Sequence, residues 1–182
     1  MELYEKTLSV QHIYDGRIIH AHVDDVELGN GAVTKREVVD HPGGVSVAVL
    51  TEKNELIFVR QFRYPYKKVL LELPAGKLET GEDPFEAMKR EQLEETGTKG
   101  ESYVSLGEVY PTPGYCGEII RLWACRRTER QQELHLDEDE FLDIELIPLD
   151  KAVEMVLSNE IPDAKTQIGV LKTAFLVKNR LI

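Results

Sequence analysis

Residues 76–98 read GKLETGEDPFEAMKREQLEETGT. Pro84 suits the first turn of a helix, Asp83 is a ready N-cap, and Gly97 is a natural C-terminal stop, so the stretch predicts a helix over 84–96. Within it, Glu91, Glu94 and Glu95 fall on one face, because side chains three and four positions apart are helical neighbours. Like charges in such pairs repel by about 0.2–0.5 kcal/mol each. They also crowd the last turns, where the helix dipole disfavours anions. Arg90 can pair with Glu94, while Lys99 lies too late to be a regular helical partner. A hard divalent cation resolves the conflict, since magnesium takes carboxylate oxygens, keeps several waters and bridges to substrate phosphates. The competing reading is a solvated acidic helix face.

Working outward, the segments on either side alternate between β-branched runs and turn residues. VSVAVL and ELIFVRQF read as buried strands separated by Thr51-Glu52-Lys53-Asn54, and VLLELP is a short strand ended by Pro74. YVSLGEVY and EIIRLWACR are two more, joined by the loop PTPGYCG, and LDIELIPL is a last strand. Asp150 is expected to cap a helix to about Asn159, and Asp163 a final helix whose apolar stripe runs through positions 168, 171, 175 and 176. The main domain is therefore expected to be α/β, with a mixed sheet and helices against it. Before it, TLSVQHIY, RIIHAHVDDVEL and AVTKREVVD, punctuated by Asp15-Gly16 and Gly29-Asn30-Gly31, read as a three-stranded antiparallel attachment. The expected division is 1–42 for this attachment and 43–182 for the main domain. His20 and His22 alternate on one strand face and are expected to be solvated.

The chain has 182 residues, 42% of them hydrophobic and 30% charged, enough for one folded domain with a small attachment. Its net charge of −11 argues against nucleic acid and against an anionic membrane surface as partners. No apolar run approaches the roughly 20 residues of a membrane span, and MELYEKTLSV lacks the apolar core of a signal peptide. Cys116 and Cys125 make no disulfide framework and are expected to be reduced thiols of a cytoplasmic protein.

The spacing of the acidic helix resembles the Nudix box, G-x5-E-x7-R-E-U-x-E-E-x-G-U, where U is a bulky aliphatic. Gly76, Glu82, Arg90, Glu91, Glu94, Glu95 and Gly97 all fall in register. The two departures are Gln92 and Thr98 at the U positions. Leu93 stands beside Gln92 as if the apolar position had moved by one, so Gln92→Leu is expected to raise the melting temperature if position 92 faces the core. The resemblance implies a Nudix α/β/α sandwich that binds Mg2+ or Mn2+ and hydrolyses a nucleoside diphosphate linked to another moiety. It implies Glu91 and Glu95 as main metal ligands, Glu94 close behind and acting in catalysis, and the backbone carbonyl of Ala75 as companion ligand. Arg90 would hold the carboxylates, and Glu82 would support the cluster or bind a further metal.

Pro113, sixteen residues after Gly97, resembles the ADP-ribose pyrophosphatase subgroup, as do KREVVDHPGGV, VRQFRYP, ELPAGKLE and IPDAKTQIGVL. That resemblance implies hydrolysis to AMP and ribose 5-phosphate. It also implies a catalytic glutamate from a loop before the last strand. There Asp137–Glu145 holds six acids in nine residues; Glu138 is the candidate general base and Glu140 a further metal contact, with the reverse assignment open. A homodimer built through the N-terminal segment is also implied. An acidic protein needs local cations for a diphosphate: Arg63 is the first choice and Arg36 the second, since arginine forks suit phosphate oxygens. Glu118 and Gly114, in the loop after Pro113, complete the candidate substrate contacts. Tyr14, Tyr64 and Tyr115 are alternatives for stacking a base. The alternative substrate is another nucleoside diphosphate sugar such as GDP-mannose. A non-catalytic ADP-ribose-binding module is the rival of another class.

Overall fold

The computed structural model describes residues 3–128 and 142–182. The chain forms two compact units, one of residues 1–43 with 110–119, the other of 44–109 with 120–182.

The first unit is an antiparallel three-stranded sheet in chain order: β1 (Glu5–Asp15), β2 (His20–Leu28) and β3 (Val33–Asp40). The β1–β2 reversal closes with the Gly16 N–H donating to the Ile19 carbonyl. The Leu28 N–H donates to the Ala32 carbonyl at the second reversal. Every residue of β1 is exposed, apolar Leu8, Val10 and Ile13 included. The loop 110–119 lies along β3: the Val39 N–H donates to the Tyr115 carbonyl at 2.8 Å, and the Gly117 N–H to the Val39 carbonyl at 2.9 Å. This loop thus groups with the N-terminal strands although it follows the acidic helix in sequence. His22 is not solvated. Its imidazole lies 2.6 Å from Asp24 and 3.4 Å from Asp40, with the side chain 12% exposed.

The second unit is a seven-stranded mixed sheet. Its strands are β4 (Gly44–Leu50), β5 (Glu55–Arg63), β6 (Lys68–Glu72), β7 (Ala75–Lys77), β8 (Gly100–Val109), β9 (Ile120–Arg127) and β10 (Asp143–Pro148). The order is β10-β5-β4-β9-β8, with β6 added to β5 and β7 to β4; only β4 and β9 pair in parallel. Strand side chains alternate between faces, and β4 shows what each face meets. Val45, Val47 and Val49 pack with Ala87 and Met88 of α1 (Pro84–Thr96). Ala48 and Leu50 pack with Leu149, Ala152 and Val156 of α2 (Leu149–Leu157) and Val170 of α3 (Ala164–Lys178). One helix covers one face and two helices the other, which makes an α/β/α sandwich. Buried on both faces, β4 reads as a continuous apolar run.

Two helix expectations differ from what is observed. Asp150 sits inside the first turn of α2; the N-cap is Pro148, with no side-chain cap bond. In α3, Asp163 does cap, accepting from the Thr166 N–H, but the buried face runs through Lys165, Thr166, Gly169, Val170 and Thr173. Leu171 and Phe175 of the expected stripe are exposed, at 41% and 64%. Polar Lys165, Thr166 and Thr173 lie on the buried face while apolar Leu171 and Phe175 face out, so hydrophobic periodicity could not choose that face. Among the described residues, no helix is long and apolar enough to cross a membrane.

Candidate active site

Helix α1 begins as its sequence requires. The Asp83 carboxylate accepts from the Phe85 and Glu86 N–H groups, with Pro84 in the first turn. It ends at Gly97, whose φ of 62° is left-handed and whose N–H donates to the Leu93 carbonyl. Those two stops set which residues of the helix face the backbone of β7.

Glu95 is 2% exposed, and its Oε2 accepts from the Ala75 N–H at 2.9 Å. Glu91 packs directly on Gly76: a Cβ there would lie 1.9 Å from the Glu91 carboxyl carbon. Only glycine allows that approach. Two carboxylates one helical turn apart therefore both seat on the Ala75–Gly76 backbone. Arg90 reaches across the same surface. Its Nε and Nη2 donate to the two oxygens of Glu82 at 2.9 and 3.1 Å, and its Nη1 to Glu91 at 2.9 Å and Glu94 at 2.8 Å. The Glu82 bond and the neighbouring Glu91 and Glu94 charges outweigh the opposing effect of burial and raise the guanidinium above its ordinary value. The same bond holds the Glu82 carboxyl below the usual range. Glu82 is pinned as well by the Glu79 N–H at 3.1 Å.

Six expected residues, Ala75, Glu82, Arg90, Glu91, Glu94 and Glu95, are thus brought together. Among the described residues no group of three or more His, Cys, Asp or Glu side chains stands ready to hold a metal ion, and Arg90 bridges Glu91 to Glu94. The donor set nonetheless fits a hard divalent cation. It consists of carboxylate oxygens, two of them held against a backbone segment that a glycine keeps open.

The other expected residues fall elsewhere. Arg63 is engaged through Nε and Nη2 by the two oxygens of Glu72, each at 2.7 Å. In the first unit, Arg36 pairs with Glu5, Nη2 to Oε1 at 2.6 Å, in the open. Glu118 lies 3.6 Å from the His41 imidazole. Gly114 is an exposed turn residue with open space where a Cβ would stand. Glu138 and Glu140 lie outside the described residues. Cys116 and Cys125 are free thiols, and burial pushes Cys125 up to about 12, against a weaker pull from Gln92.

Gln92, three positions before Glu95 on α1, and Thr98, just beyond the helix, correct the expectation for the two departures. Gln92 is fully buried, whereas Leu93 is only half-buried. The Gln92 Nε2 donates to Thr98 Oγ1 at 3.3 Å, and its Oε1 accepts from the Tyr103 hydroxyl at 2.8 Å. The Thr96 hydroxyl donates to the Gln92 carbonyl and lies 2.6 Å from Thr98 Oγ1. The two departures from the box are thus bonded to each other, as buried amides and hydroxyls must be. Glu72 and Lys165, both buried, were passed over in the sequence. The available signal was a glutamate inside the otherwise apolar VLLELP, since a charge is buried only with partners.

A groove of about 350 Å³ lies between β8 and α3, lined by Ser105, Leu106, Leu171, Lys172, Phe175 and Leu176. It carries no carboxylate.

Comparison with known proteins agrees with this geometry. Residues 40–168 match the NUDIX domain, and residues 5–39 the nucleoside diphosphate sugar hydrolase N-terminal domain. A methanol dehydrogenase activator of Bacillus methanolicus is 42% identical, over 91% of this chain and 90% of that protein. An ADP-ribose pyrophosphatase of Bacillus subtilis strain 168 is 39% identical, over 92% and 91%. A GDP-mannose pyrophosphatase of Yersinia enterocolitica is 31% identical, over 81% and 83%. Among solved structures, one described as an ADP compounds hydrolase superposes with a TM-score of 0.84 over 99% of this chain and 98% of that one; at 20% identity it bears on the fold alone. Family match, fold and the carboxylates gathered on Ala75–Gly76 agree, and the chain belongs to the Nudix hydrolase family.

Proposed function

We propose that the protein hydrolyses ADP-ribose to AMP and ribose 5-phosphate with the help of Mg2+, Mn2+ being an alternative. The observation that carries the reading is the seating of Glu91 and Glu95 on the Ala75–Gly76 backbone. The 39% identity to an ADP-ribose pyrophosphatase supports the substrate.

Bound divalent ions would neutralise the diphosphate and acidify a water molecule. Glu91 and Glu95 would hold such an ion, with the Ala75 carbonyl, Glu94 and Glu82 as further contacts. Arg90 fixes Glu82, Glu91 and Glu94 relative to one another, so the carboxylates are ordered before substrate arrives. Arg63 meets the diphosphate, with Arg36, Glu118 and Gly114 as further substrate contacts. Glu138 takes the proton from the attacking water, with Glu140 as a metal contact. The pyrophosphate P–O bond breaks as the water oxygen bonds to phosphorus.

We also infer a homodimer in the cytoplasm. The 11-residue β1, exposed along its whole length with its apolar side chains, supports the first, and the two free thiols the second. GDP-mannose is the second reading, favoured by the 31% identity to a GDP-mannose pyrophosphatase.

The deciding experiment separates the products formed from ADP-ribose with and without Mg2+, beside a GDP-mannose reaction. AMP and ribose 5-phosphate that appear only with metal bear the proposal out. Release from GDP-mannose alone moves the substrate assignment. Cleavage of neither, with calorimetric binding of ADP-ribose, leaves a binding module.

A further inference from the structure

Glu72 closes β6 at 1% exposure, and two cationic side chains gather on it. Arg63 forks onto both its oxygens. Lys165, from the first turn of α3 and 9% exposed, bonds Oε2 and also reaches Asp163 at 3.0 Å. One residue on, the Leu73 N–H donates to Thr166 Oγ1 at 2.9 Å. The β5–β6 register sets this up: Glu72 faces Val59, so it shares a face with Arg63 four residues further along β5.

Burial alone would push the Glu72 carboxyl up, but the Arg63 fork and the Lys165 charge outweigh it and hold it at about 2. A buried ion network of this kind is seldom more stable than an apolar cluster of similar volume. Its distinctive product is geometry. A carboxylate tied to arginine alone can turn with it, whereas one tied also to a buried lysine has a single orientation. Arg63 keeps 37% of its side chain exposed, its Nη1 lies outside the fork, and the Glu95 charge acts on it. The guanidinium is therefore within electrostatic reach of Glu95 on α1.

We propose that the buried Glu72–Lys165 pair is the positioning element for Arg63, holding its guanidinium in the one orientation that receives the diphosphate of the substrate. This rests on the hydrolase reading and on Arg63 as the docking cation. Neither Glu72 nor Lys165 touches substrate; both act through Arg63.

The test is steady-state kinetics on ADP-ribose for Arg63→Ala, Glu72→Gln, Lys165→Met and Lys165→Arg, with each neutralising change also made in the Arg63→Ala background. Losing ground-state docking raises KM and spares kcat. Glu72→Gln and Lys165→Met should each raise KM about tenfold, the scale of one charge-assisted hydrogen bond, with kcat within about twofold. Lys165→Arg should restore KM. In the Arg63→Ala background neither change should raise KM further, because residues acting through a shared partner are non-additive. An undiminished rise in that background overturns the proposal, as does a wild-type KM in Glu72→Gln. If Lys165→Met does not fold, the Glu72→Gln pair of measurements decides. Arg63→Ala with unchanged KM removes Arg63 as docking cation, and a wild type that cleaves no diphosphate removes the hydrolase reading itself.

Discussion

On α1, Glu91 and Glu95 press carboxylates onto the Ala75–Gly76 backbone, and Arg90 is the cation partner of Glu91 and Glu94. Three positions before Glu95, Gln92 is neutral and more deeply buried, and its partners are neutral too: the Thr96, Thr98 and Tyr103 hydroxyls and the Cys125 thiol. The neutral side closes on itself, each partner answering another within a few ångströms. The acidic side carries three carboxylates against one guanidinium on that face of the helix, an imbalance that a divalent cation relieves. Polarity in a helix is thus no measure of function; the informative quantity is whether the polar groups satisfy one another.

The largest expected effect that would sharpen this contrast is on the acidic side. Glu95→Gln keeps an oxygen for the Ala75 N–H but loses the charge. It should lower kcat about a hundredfold or more while the thermal melt stays near wild type. Near-normal turnover would break the contrast at its centre. Gly76→Ala comes next, since its Cβ must displace the Glu91 carboxylate. A loss of about 10- to 100-fold in activity is expected, the scale seen when the supports of a metal site shift, with recovery at raised Mg2+ as the telling readout.

The neutral side should answer in stability. Gln92→Leu takes an acceptor from the Tyr103 hydroxyl and a donor from Thr98 Oγ1, leaving them only the Gly100 N–H and the Thr96 hydroxyl, and should cost about 1–3 kcal/mol, read as a lowered melting temperature with activity retained in the cold. This reverses the rise expected from sequence. Adding Thr98→Val should cost less than the sum of the two changes, because removing both partners leaves fewer orphans. An additive loss would mean that the two side chains do not depend on each other.

The smallest effect lies outside neutral pH. Glu72 sits at about 2 in the fold against an ordinary 4.5. A depressed carboxyl contributes stability that is fully present above its unfolded value and lost as pH falls through its folded one. Stability should therefore decline between about pH 4.5 and 2, and Glu72→Gln should flatten the melting temperature across that window. An unchanged slope would place the acid sensitivity elsewhere.

Much of this was legible in the chain. The register of Gly76, Glu82, Arg90, Glu91, Glu94, Glu95 and Gly97, bounded by Asp83-Pro84 and Gly97, specifies the helix and its acidic face, because capping and i, i+3/i+4 neighbourhood are local properties of sequence. The apolar runs of β4 and β5 likewise announce buried strands. Only the tertiary structure decided the rest. Position 92 could be read as a misplaced aliphatic until Tyr103 and Cys125, from β8 and β9, stood around it. The buried face of α3 was misread because polar Lys165, Thr166 and Thr173 are buried there with Gly169 and Val170, and no apolar stripe marks such a face until a sheet is laid against it. Glu72 is separated from Lys165 by 93 residues, and no local pattern pairs two such charges; they are brought together by β6 and α3 packing in one sandwich.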